Sequence, residues 1–207
     1  MSTQHVEFLV EEPSCEAFLR LVLPKVIGTR TFEVFSYQCK PDLLEKLSQR
    51  LRGYAQRRRK DAWFRDHVRV VVLVDRDGED CRKLKAELEK ATSDEKLISR
   101  SRSVTSWFVL NRIAIEELEA WYFGDWEAVR AAFPNVPANI PRKREYRVPD
   151  GIAGGTWEAF ERVMNTHGYF GGGLRKIEAA RAIGTHIVPS RNTSQSFRAF
   201  RDALESI

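Results

Sequence analysis

Acidic residues follow three of the apolar segments in this 207-residue chain. The first segment ends at Glu11-Glu12, the second at Asp75-Arg76-Asp77, and the third at Glu116-Glu117-Leu118-Glu119. If the segments are parallel strands, their carboxyl ends meet at one edge of a sheet, where ligands bind. A cation or raised pKa values must then relieve the repulsion between the carboxylates. Because Mg²⁺ binds carboxylates together with substrate phosphates, this edge is a candidate site for metal-assisted phosphate chemistry.

Each acidic group also has a purely structural interpretation. Asp75-Arg76-Asp77-Gly78 has the composition of a turn, since Asp bonds its own backbone and Gly accepts a positive φ. Glu11 alone has the character of a solvated loop residue. The acids of segment 116–119 are typical of a first helical turn, where they complement the helix dipole. Their joint occurrence at the ends of successive strands favours the functional interpretation.

An EF-hand loop and a phosphatase site are two alternative interpretations of the Asp75 motif. An EF-hand loop requires Gly at its sixth position, and Gly78 is the fourth residue from Asp75, so that loop is excluded. A phosphatase of the haloacid dehalogenase type would use Asp75 as nucleophile and Asp77 as acid/base. Glu79 stands where such enzymes have Thr or Val, and the motif lies on an internal strand, so this alternative is weaker.

Strand and helix patterns alternate in the first half of the chain. The strand patterns cover His5–Val10, Thr31–Tyr37, Val68–Val74 and Val104–Ile115. The helix patterns begin at Ser14, at Pro41 and near Asp80. This alternation predicts an α/β fold, Rossmann-like, with a mostly parallel four-stranded sheet and helices on both faces.

The second half has a different character. Prolines at 134, 137, 141 and 149 mark a loop-rich stretch. Helix patterns then cover Trp157–Asn165, Leu174–Ile183 and Ser194–Ile207, with Ser194 as a cap. We therefore expect residues 1–125 to form the α/β core and residues 126–207 a loop-rich and helical extension packed on it.

Composition restricts the location of the protein more than its function. Lys and Arg number 34 against 29 Asp and Glu, a net charge of +5 that permits an anionic partner without requiring one. No segment approaches the roughly 20 apolar residues of a membrane helix, and the first residues lack the pattern of a secretion signal. The three cysteines are widely spaced, which argues against a disulfide framework or a structural zinc site. We expect a cytoplasmic protein with no membrane partner.

Several motifs resemble those of Toprim domains. The segment VEFLVEEPSCEAFL (6–19) is similar to their first motif, a strand that ends in Glu-Gly before a helix, and VVVLVDRDGEDC (70–81) is similar to their second. The segments KPDLL (40–44), ELEAWYFGD (117–125) and NTSQSF (192–197) resemble one group of small stand-alone Toprim-like proteins of unknown function. Members of that group are often encoded beside ABC-type or AAA-type ATPases in bacterial defence loci, and the resemblance covers most of the chain.

The resemblance implies specific roles for four acids. Glu11 matches the Toprim glutamate, a general acid/base or metal ligand in strand cleavage. Asp75 and Asp77 match the pair that binds Mg²⁺ (or Mn²⁺), and Glu119 falls where the group has a glutamate that would complete the catalytic site. Glu12 replaces the usual glycine, so it either adds a fourth acid or indicates a remodelled turn.

Basic segments are candidates for binding a nucleic acid. We expect Arg142, Lys143 and Arg144 in a Pro-rich loop, and Arg175 and Lys176 after a glycine run, to contact phosphates. The weaker candidates are Arg57–Lys60, Arg100 and Arg102. The glycine run lacks the P-loop spacing, so the chain is not expected to hydrolyse nucleotides.

The leading hypothesis is a Mg²⁺-dependent Toprim nuclease, a hydrolase that acts as the effector subunit of an ATPase-regulated antiviral (antiphage) defence system. Its expected partners are a nucleic acid and an ABC/AAA-type ATPase subunit, and the chain could also form a homodimer. One alternative is a non-catalytic Toprim-like subunit that docks the ATPase. The other is the phosphatase that uses Asp75.

Overall fold

A computed structural model of the chain describes residues 3–207 and has an α/β fold. The strands are β1 (His5–Val10), β2 (Thr31–Ser36), β3 (Val68–Asp75) and β4 (Val109–Ala114). They form one sheet in the order β2-β1-β3-β4, and every pair is parallel. The predicted α/β class with a parallel four-stranded sheet is confirmed.

Nine α-helices surround the sheet within residues 3–207. They are α1 (Pro13–Val22), α2 (Lys40–Lys60), α3 (Ala62–His67), α4 (Cys81–Asp94), α5 (Glu119–Gly124), α6 (Trp126–Ala132), α7 (Thr156–Thr166), α8 (Lys176–His186) and α9 (Gln195–Glu205). No helix in this described range is both long and apolar enough to cross a lipid bilayer.

Strand β3 is central because its side chains are apolar on both faces. Alternate residues point to opposite faces of a sheet, and β3 accordingly contributes to two hydrophobic cores. Val70, Val72 and Val74 belong to the core beneath α2 and α4, while Val71 and Leu73 belong to the other. The valine-rich composition of this strand is therefore explained by burial on both sides.

The helices of the second half pack on one face of the sheet. On that face, α8 lies against α1, and the ring of Phe200 in α9 is 6.4 Å from that of Phe8 in β1, centroid to centroid. The ring of Trp121 in α5 is 5.1 Å from Phe200. Residues 126–207 thus share a continuous core with the sheet.

Two local predictions differ from the structure. Strand β4 begins at Val109 rather than Val104, because the polar residues before it form turns and leave Val104 exposed. Helix α1 begins at Pro13 with Glu12 in the capping position, and the Ser14 hydroxyl donates to the Glu12 carboxylate instead of capping the helix. The predicted cap at Ser194 is confirmed, since its hydroxyl accepts the Phe197 N–H at 3.1 Å.

The segment of α5 and Asp125 is joined to residues 188–193 by buried polar contacts. The Asn192 amide donates to the Trp121 carbonyl at 2.9 Å, and the Thr193 N–H donates to the Gly124 carbonyl at 2.8 Å. Asp125 accepts from the Arg191 guanidinium at 2.6 Å and from the Val188 N–H at 2.8 Å. Two of the segments that carry the sequence resemblance therefore stabilise each other.

We expect Gly124→Ala to lower the free energy of unfolding by about 1–3 kcal/mol, the usual cost of overpacking. A Cβ at position 124 would lie 2.1 Å from Asn192 Oδ1 and 2.9 Å from the Ser194 backbone nitrogen. Urea unfolding measures the change. The control is Gly53→Ala in α2, where a Cβ would meet no atom within 4 Å. Because Ala favours a helix, this control is expected to be more stable than wild type, and equal effects at both sites would contradict the packing argument.

Candidate metal centre

Three carboxylates meet at the carboxyl edge of the sheet. Glu11 follows β1, Asp75 is the last residue of β3, and Asp77 lies two residues further on. One oxygen from each lies within 4.8 Å of the other two. Glu11 also accepts a hydrogen bond from the Asp75 N–H at 3.2 Å. The structure brings together the three residues that the sequence motifs associate with a metal ion.

The turn after β3 is attached to the segment that follows β4. The backbone N–H groups of Arg76 and Asp77 donate to the Glu116 carbonyl at 2.9 and 3.1 Å, and the Arg76 guanidinium pairs with the Glu116 carboxylate. Asp77 has a φ of 48° and Gly78 a φ of 75°. Asp and Gly tolerate this left-handed region better than most residues. The turn thus presents the Asp77 carboxylate to Glu11 and Asp75, and it leaves Asp77 43% exposed.

Burial and mutual repulsion disfavour negative charge in this cluster. Burial, together with the charge of Asp77, raises the pKa of Glu11 to about 7, although the hydrogen bond from the Asp75 N–H opposes the shift. Burial and the nearby charges of Glu11 and Glu119 raise the pKa of Asp75 well above its usual value. A divalent cation would remove this repulsion.

Glu119 lies close enough to Asp75 for its charge to raise the pKa of that carboxyl. It is the first residue of α5 and only 1% exposed, and neither carboxylate oxygen has a hydrogen-bond partner among residues 3–207. Burial raises its pKa to about 7, partly offset by the charge of Lys176. Buried polar groups normally have partners, so this unsatisfied carboxylate, close enough to Asp75 to raise its pKa, is a candidate contact for an ion or its water.

The donor set fits a hard divalent ion. Asp75 and Asp77 would hold it directly with Glu11 within reach, and all three offer oxygen atoms alone, as Mg²⁺ and Mn²⁺ prefer. Glu119 lies outside this group of three, and its unpaired oxygens would accept hydrogen bonds from water molecules around the ion.

Lys40 is a functional candidate that the sequence motifs did not single out. It is the first residue of α2 and 7% exposed, and its ammonium lies 2.8 Å from both Asp77 Oδ2 and Glu79 Oε1. It also donates to the Arg76 carbonyl at 3.3 Å. Burial lowers the pKa of Lys40, but the bonds to Asp77 and Glu79 outweigh it and the pKa is raised. The available signal was the segment KPDLL (40–44), which begins with Lys40 and carries part of the sequence resemblance.

Lys176 provides a second cation on the opposite side. It begins α8, its ammonium is 3.6 Å from Glu12 Oε2, and it lies over the Trp157 ring at 5.6 Å from the centroid. Burial lowers the pKa of Lys176, and the charges of Glu119, Glu12 and Asp75 more than compensate. Lys176 also borders a cleft of about 850 Å³ between the starts of α1 and α8. The predicted phosphate-binding role of Lys176 is compatible with this place.

Glu12 does not strain the turn before α1. Its φ of −144° and ψ of 158° are ordinary extended backbone, so no glycine is needed. Its carboxylate faces Ser14 and Lys176 and does not belong to the group of three metal-binding candidates. Of the two interpretations of Glu12, the structure supports an added acid beside the site.

Three other acids near this edge have structural roles. Glu117 accepts three hydrogen bonds at 2.9 Å from the start of α7, two from Thr156 and one from Trp157 N–H. Glu116 pairs with Arg76, and Asp125 pairs with Arg191. Only Glu119 of the segment 116–119 therefore joins the cluster.

The other predicted phosphate-binding residues lie outside the cluster. Arg142 and Arg144 are exposed on two short 3₁₀ helices, and Lys143 lies exposed between them. Arg175 is exposed and pairs with Glu178 at 2.5 Å. Within the described residues, no hydrogen bond or ion pair joins any of these four to the acidic cluster.

Residues 10–205 match the model of a protein family described as a domain of unknown function, DUF4276. No curated protein and no solved structure matches the chain.

Proposed function

The chain belongs to the DUF4276 domain family, and we propose that it is a divalent-metal-dependent nuclease that cleaves phosphodiester bonds of DNA or RNA. The observation that carries the proposal is the group of Glu11, Asp75 and Asp77 at the carboxyl edge of the sheet, between two lysines. The resemblance of the two acidic motifs to those of Toprim domains supports the same reaction.

Each side chain of the site has a separate task in this proposal. Asp75 and Asp77 bind Mg²⁺ or Mn²⁺, which when bound polarises a phosphoryl oxygen and stabilises the charge that develops on it. Glu11, whose pKa is raised to about 7, accepts or donates a proton near neutral pH. Lys40 and Lys176 approach the phosphate from opposite sides and stabilise its additional negative charge.

The proposed nuclease acts as the effector subunit of an ATPase-regulated bacterial defence system, with an ABC/AAA-type ATPase as partner. This part rests on the sequence resemblance. The cysteines Cys15, Cys39 and Cys81 are all free, which supports the proposed cytoplasmic location.

Cleavage of plasmid DNA, total RNA and tRNA tests the proposal. We expect cleavage of at least one substrate with Mg²⁺ or Mn²⁺, with or without the ATPase, and loss of cleavage in EDTA and in a Glu11→Gln/Asp77→Asn double variant. Cleavage that persists in the double variant would contradict the assigned site. If all the nucleic acids remain intact and simple phosphomonoesters are hydrolysed, the phosphatase alternative would replace the nuclease.

Lys40→Met separates metal binding from cleavage. Because the variant removes a cation 2.8 Å from Asp77, we expect Mn²⁺ to bind about tenfold more tightly. Cleavage at saturating Mn²⁺ is expected to fall by about 10²-fold, since a group that stabilises the phosphate is lost. Calorimetric Mn²⁺ titration and single-turnover cleavage measure the two effects.

Lys46→Met is the matched control, because Lys46 lies in the same helix and pairs with Asp42 away from the site. We expect it to leave both quantities at their wild-type values. If Lys40→Met weakened Mn²⁺ binding, Lys40 would serve only to order the turn that carries Asp77.

A further inference from the structure

Four half-buried arginines lie near one another, as shown by the ring that Arg69 and Arg100 share and by the repulsion between Arg58 and Arg69 and between Arg100 and Arg112. We call Arg58, Arg69, Arg100 and Arg112 the arginine surface. Arg58 is in the last turns of α2, Arg69 is the second residue of β3, Arg100 precedes β4 and Arg112 is within it. Arg69 lies six residues before Asp75, so about 20 Å of strand separates it from the carboxyl edge.

Aromatic rings hold three of these guanidiniums in place. The guanidinium carbons of Arg69 and Arg100 lie 5.5 and 5.3 Å from the centroid of Trp107, and that of Arg58 lies 4.4 Å from the centroid of Phe108. Such contacts orient a guanidinium without neutralising its charge. The arginine surface is therefore preorganised and positively charged.

The arginine surface lacks the carboxylate partners that most other half-buried arginines of the described residues have. Within residues 3–207, none of its four members has a carboxylate oxygen within 4.0 Å. The other half-buried arginines bind oxygen atoms as follows: Arg50 binds Glu7, Arg76 binds Glu116, Arg130 binds Glu127, Arg201 binds Asp202, and Arg30 binds the carbonyls of Ile27 and Ile207. Of the four, Arg69 donates to the Val68 carbonyl at 2.8 Å, so what the arginine surface shares is the lack of a carboxylate that would neutralise its charge.

The positive charge of this surface is also costly. Burial and the charge of Arg69 lower the pKa of Arg58, and burial and the charge of Arg100 lower the pKa of Arg112. The Nε atoms of Arg58 and Arg112 are buried and have no partner among the described residues. Nearby acids are engaged elsewhere, since Asp66 pairs with Arg65 and Asp202 with Arg201. An anion from outside the chain would relieve the repulsion.

We propose that the arginine surface binds the sugar-phosphate backbone of a nucleic acid. Planar guanidinium groups match phosphate oxygens bidentately, and a group of four neighbouring charges suits a chain of repeated phosphates better than one small anion. This inference rests on the proposed function for the identity of the polyanion. A duplex that reaches from Arg69 to the acidic cluster would span about six base pairs, so the surface positions long substrates for cleavage.

Nucleic-acid binding without metal tests the inference independently of cleavage. The probes are fluorescein-labelled single-stranded DNA, single-stranded RNA and duplex DNA of about 30 nucleotides per strand, long enough to cover the site sizes of such proteins. Anisotropy in EDTA is measured between 50 mM and 200 mM KCl, the range over which phosphate contacts are lost. The variant is Arg58→Gln/Arg69→Gln/Arg100→Gln. The control, Arg20→Gln/Arg52→Gln/Arg130→Gln, removes the same charge from arginines that have carboxylate partners.

We expect the surface variant to bind at least one probe about tenfold more weakly than wild type, and its log-log salt slope to fall by about one per lost phosphate contact. The control is expected to stay close to wild type. Arg100→Gln alone should shift the affinity in the same direction, which keeps the test valid if the triple variant fails to fold.

Equal losses in the surface variant and the control, or unchanged affinity and slope in the surface variant, would overturn the inference. If the surface variant no longer co-purified with the ATPase but still bound nucleic acid, the arginine surface would be a protein-binding surface, and the inference would also be overturned. Binding without cleavage would contradict the proposed function and leave the arginine surface standing. Cleavage by wild type together with unchanged nucleic-acid binding in the surface variant would overturn the arginine surface and leave the proposed function standing.

Discussion

Replacing Asp75 with asparagine is expected to weaken Mn²⁺ binding by about 100-fold or more, because even groups that only orient a metal ligand contribute 10–100-fold to affinity. Cleavage is expected to fall by about 10³-fold, the scale on which transition-state charge is stabilised. Asp75 lies at the end of the central strand, and its neighbours Glu11 and Glu119 cannot replace the lost charge from their own positions. Calorimetric Mn²⁺ titration and single-turnover cleavage measure the two effects.

Asp94→Asn is the control for this prediction, since Asp94 is exposed in α4 and pairs only with Lys90. The fold of the Asp75→Asn variant is expected to remain intact. Burial raises the pKa of the Asp75 carboxyl, so its negative charge is unfavourable in the folded protein, and the neutral amide removes that charge. Wild-type Mn²⁺ affinity in a folded Asp75→Asn protein would show that the ion binds elsewhere.

Glu119→Gln is expected to change the pH dependence of stability. The folded carboxyl has a pKa raised to about 7 from an ordinary value of 4.5. Between these values the folded protein binds the proton and the unfolded chain releases it, so metal-free wild type loses stability as pH rises from 4.5 to 7. The difference between a pKa of 4.5 and one of about 7 corresponds to about 3 kcal/mol in the free energy of unfolding. Above pH 7 this loss is complete.

The variant lacks this loss, so its free energy of unfolding relative to wild type should rise by about 3 kcal/mol between pH 4.5 and pH 8. Urea unfolding in EDTA at several pH values measures the difference. Saturating Mg²⁺ should stabilise wild type above pH 7 by linkage, and stabilise the variant less. A pH-independent difference between the two proteins would contradict the raised pKa of Glu119.

Glu117→Gln is the matched control two residues away. Glu117 accepts three hydrogen bonds from the start of α7. A neutral amide oxygen is a weaker acceptor for these donors, so we expect a loss of about 1–2 kcal/mol, comparable to the loss of a helix cap. Opposite signs for Glu117→Gln and Glu119→Gln at pH 8 would separate the structural acid from the acid of the site.

The fold and the acidic edge were predictable because their signals are local. The valine-rich segment that ends at Asp75 predicts a central strand, and parallel strands bring Glu11 and Asp75 to the same edge. Among residues 116–119, the resemblance singled out Glu119, whereas the strand and helix patterns could not, because the choice depends on the left-handed Glu116, with a φ of 62°, and on α5 beginning at Glu119. A one-residue shift of that helix would present a different acid.

The role of Lys40 and the grouping of the arginine surface were not predicted, although Arg58 and Arg100 were among the weaker candidates, because both depend on contacts between distant segments. Lys40 reaches Asp77 across 37 positions of sequence only because α2 begins at the end of β2 beside the turn after β3. Arg69 and Arg100 share the ring of Trp107, which no local pattern indicates. The charge clusters visible in sequence, such as Arg142–Arg144, instead lie exposed. Clustering along the chain is thus a weak guide to the places where half-buried charges gather.

The most direct test of the account is single-turnover cleavage of a bound nucleic acid by wild type and by Glu11→Gln, at equal occupancy of the protein and saturating Mn²⁺. Because Glu11 lies within the carboxylate group and has its pKa near neutrality, we predict cleavage by wild type and a loss of about 10²–10⁴-fold in the variant, the usual contribution of a general acid or base. Equal cleavage rates for the two proteins, or no cleavage by wild type of any nucleic acid that it binds, would contradict the account.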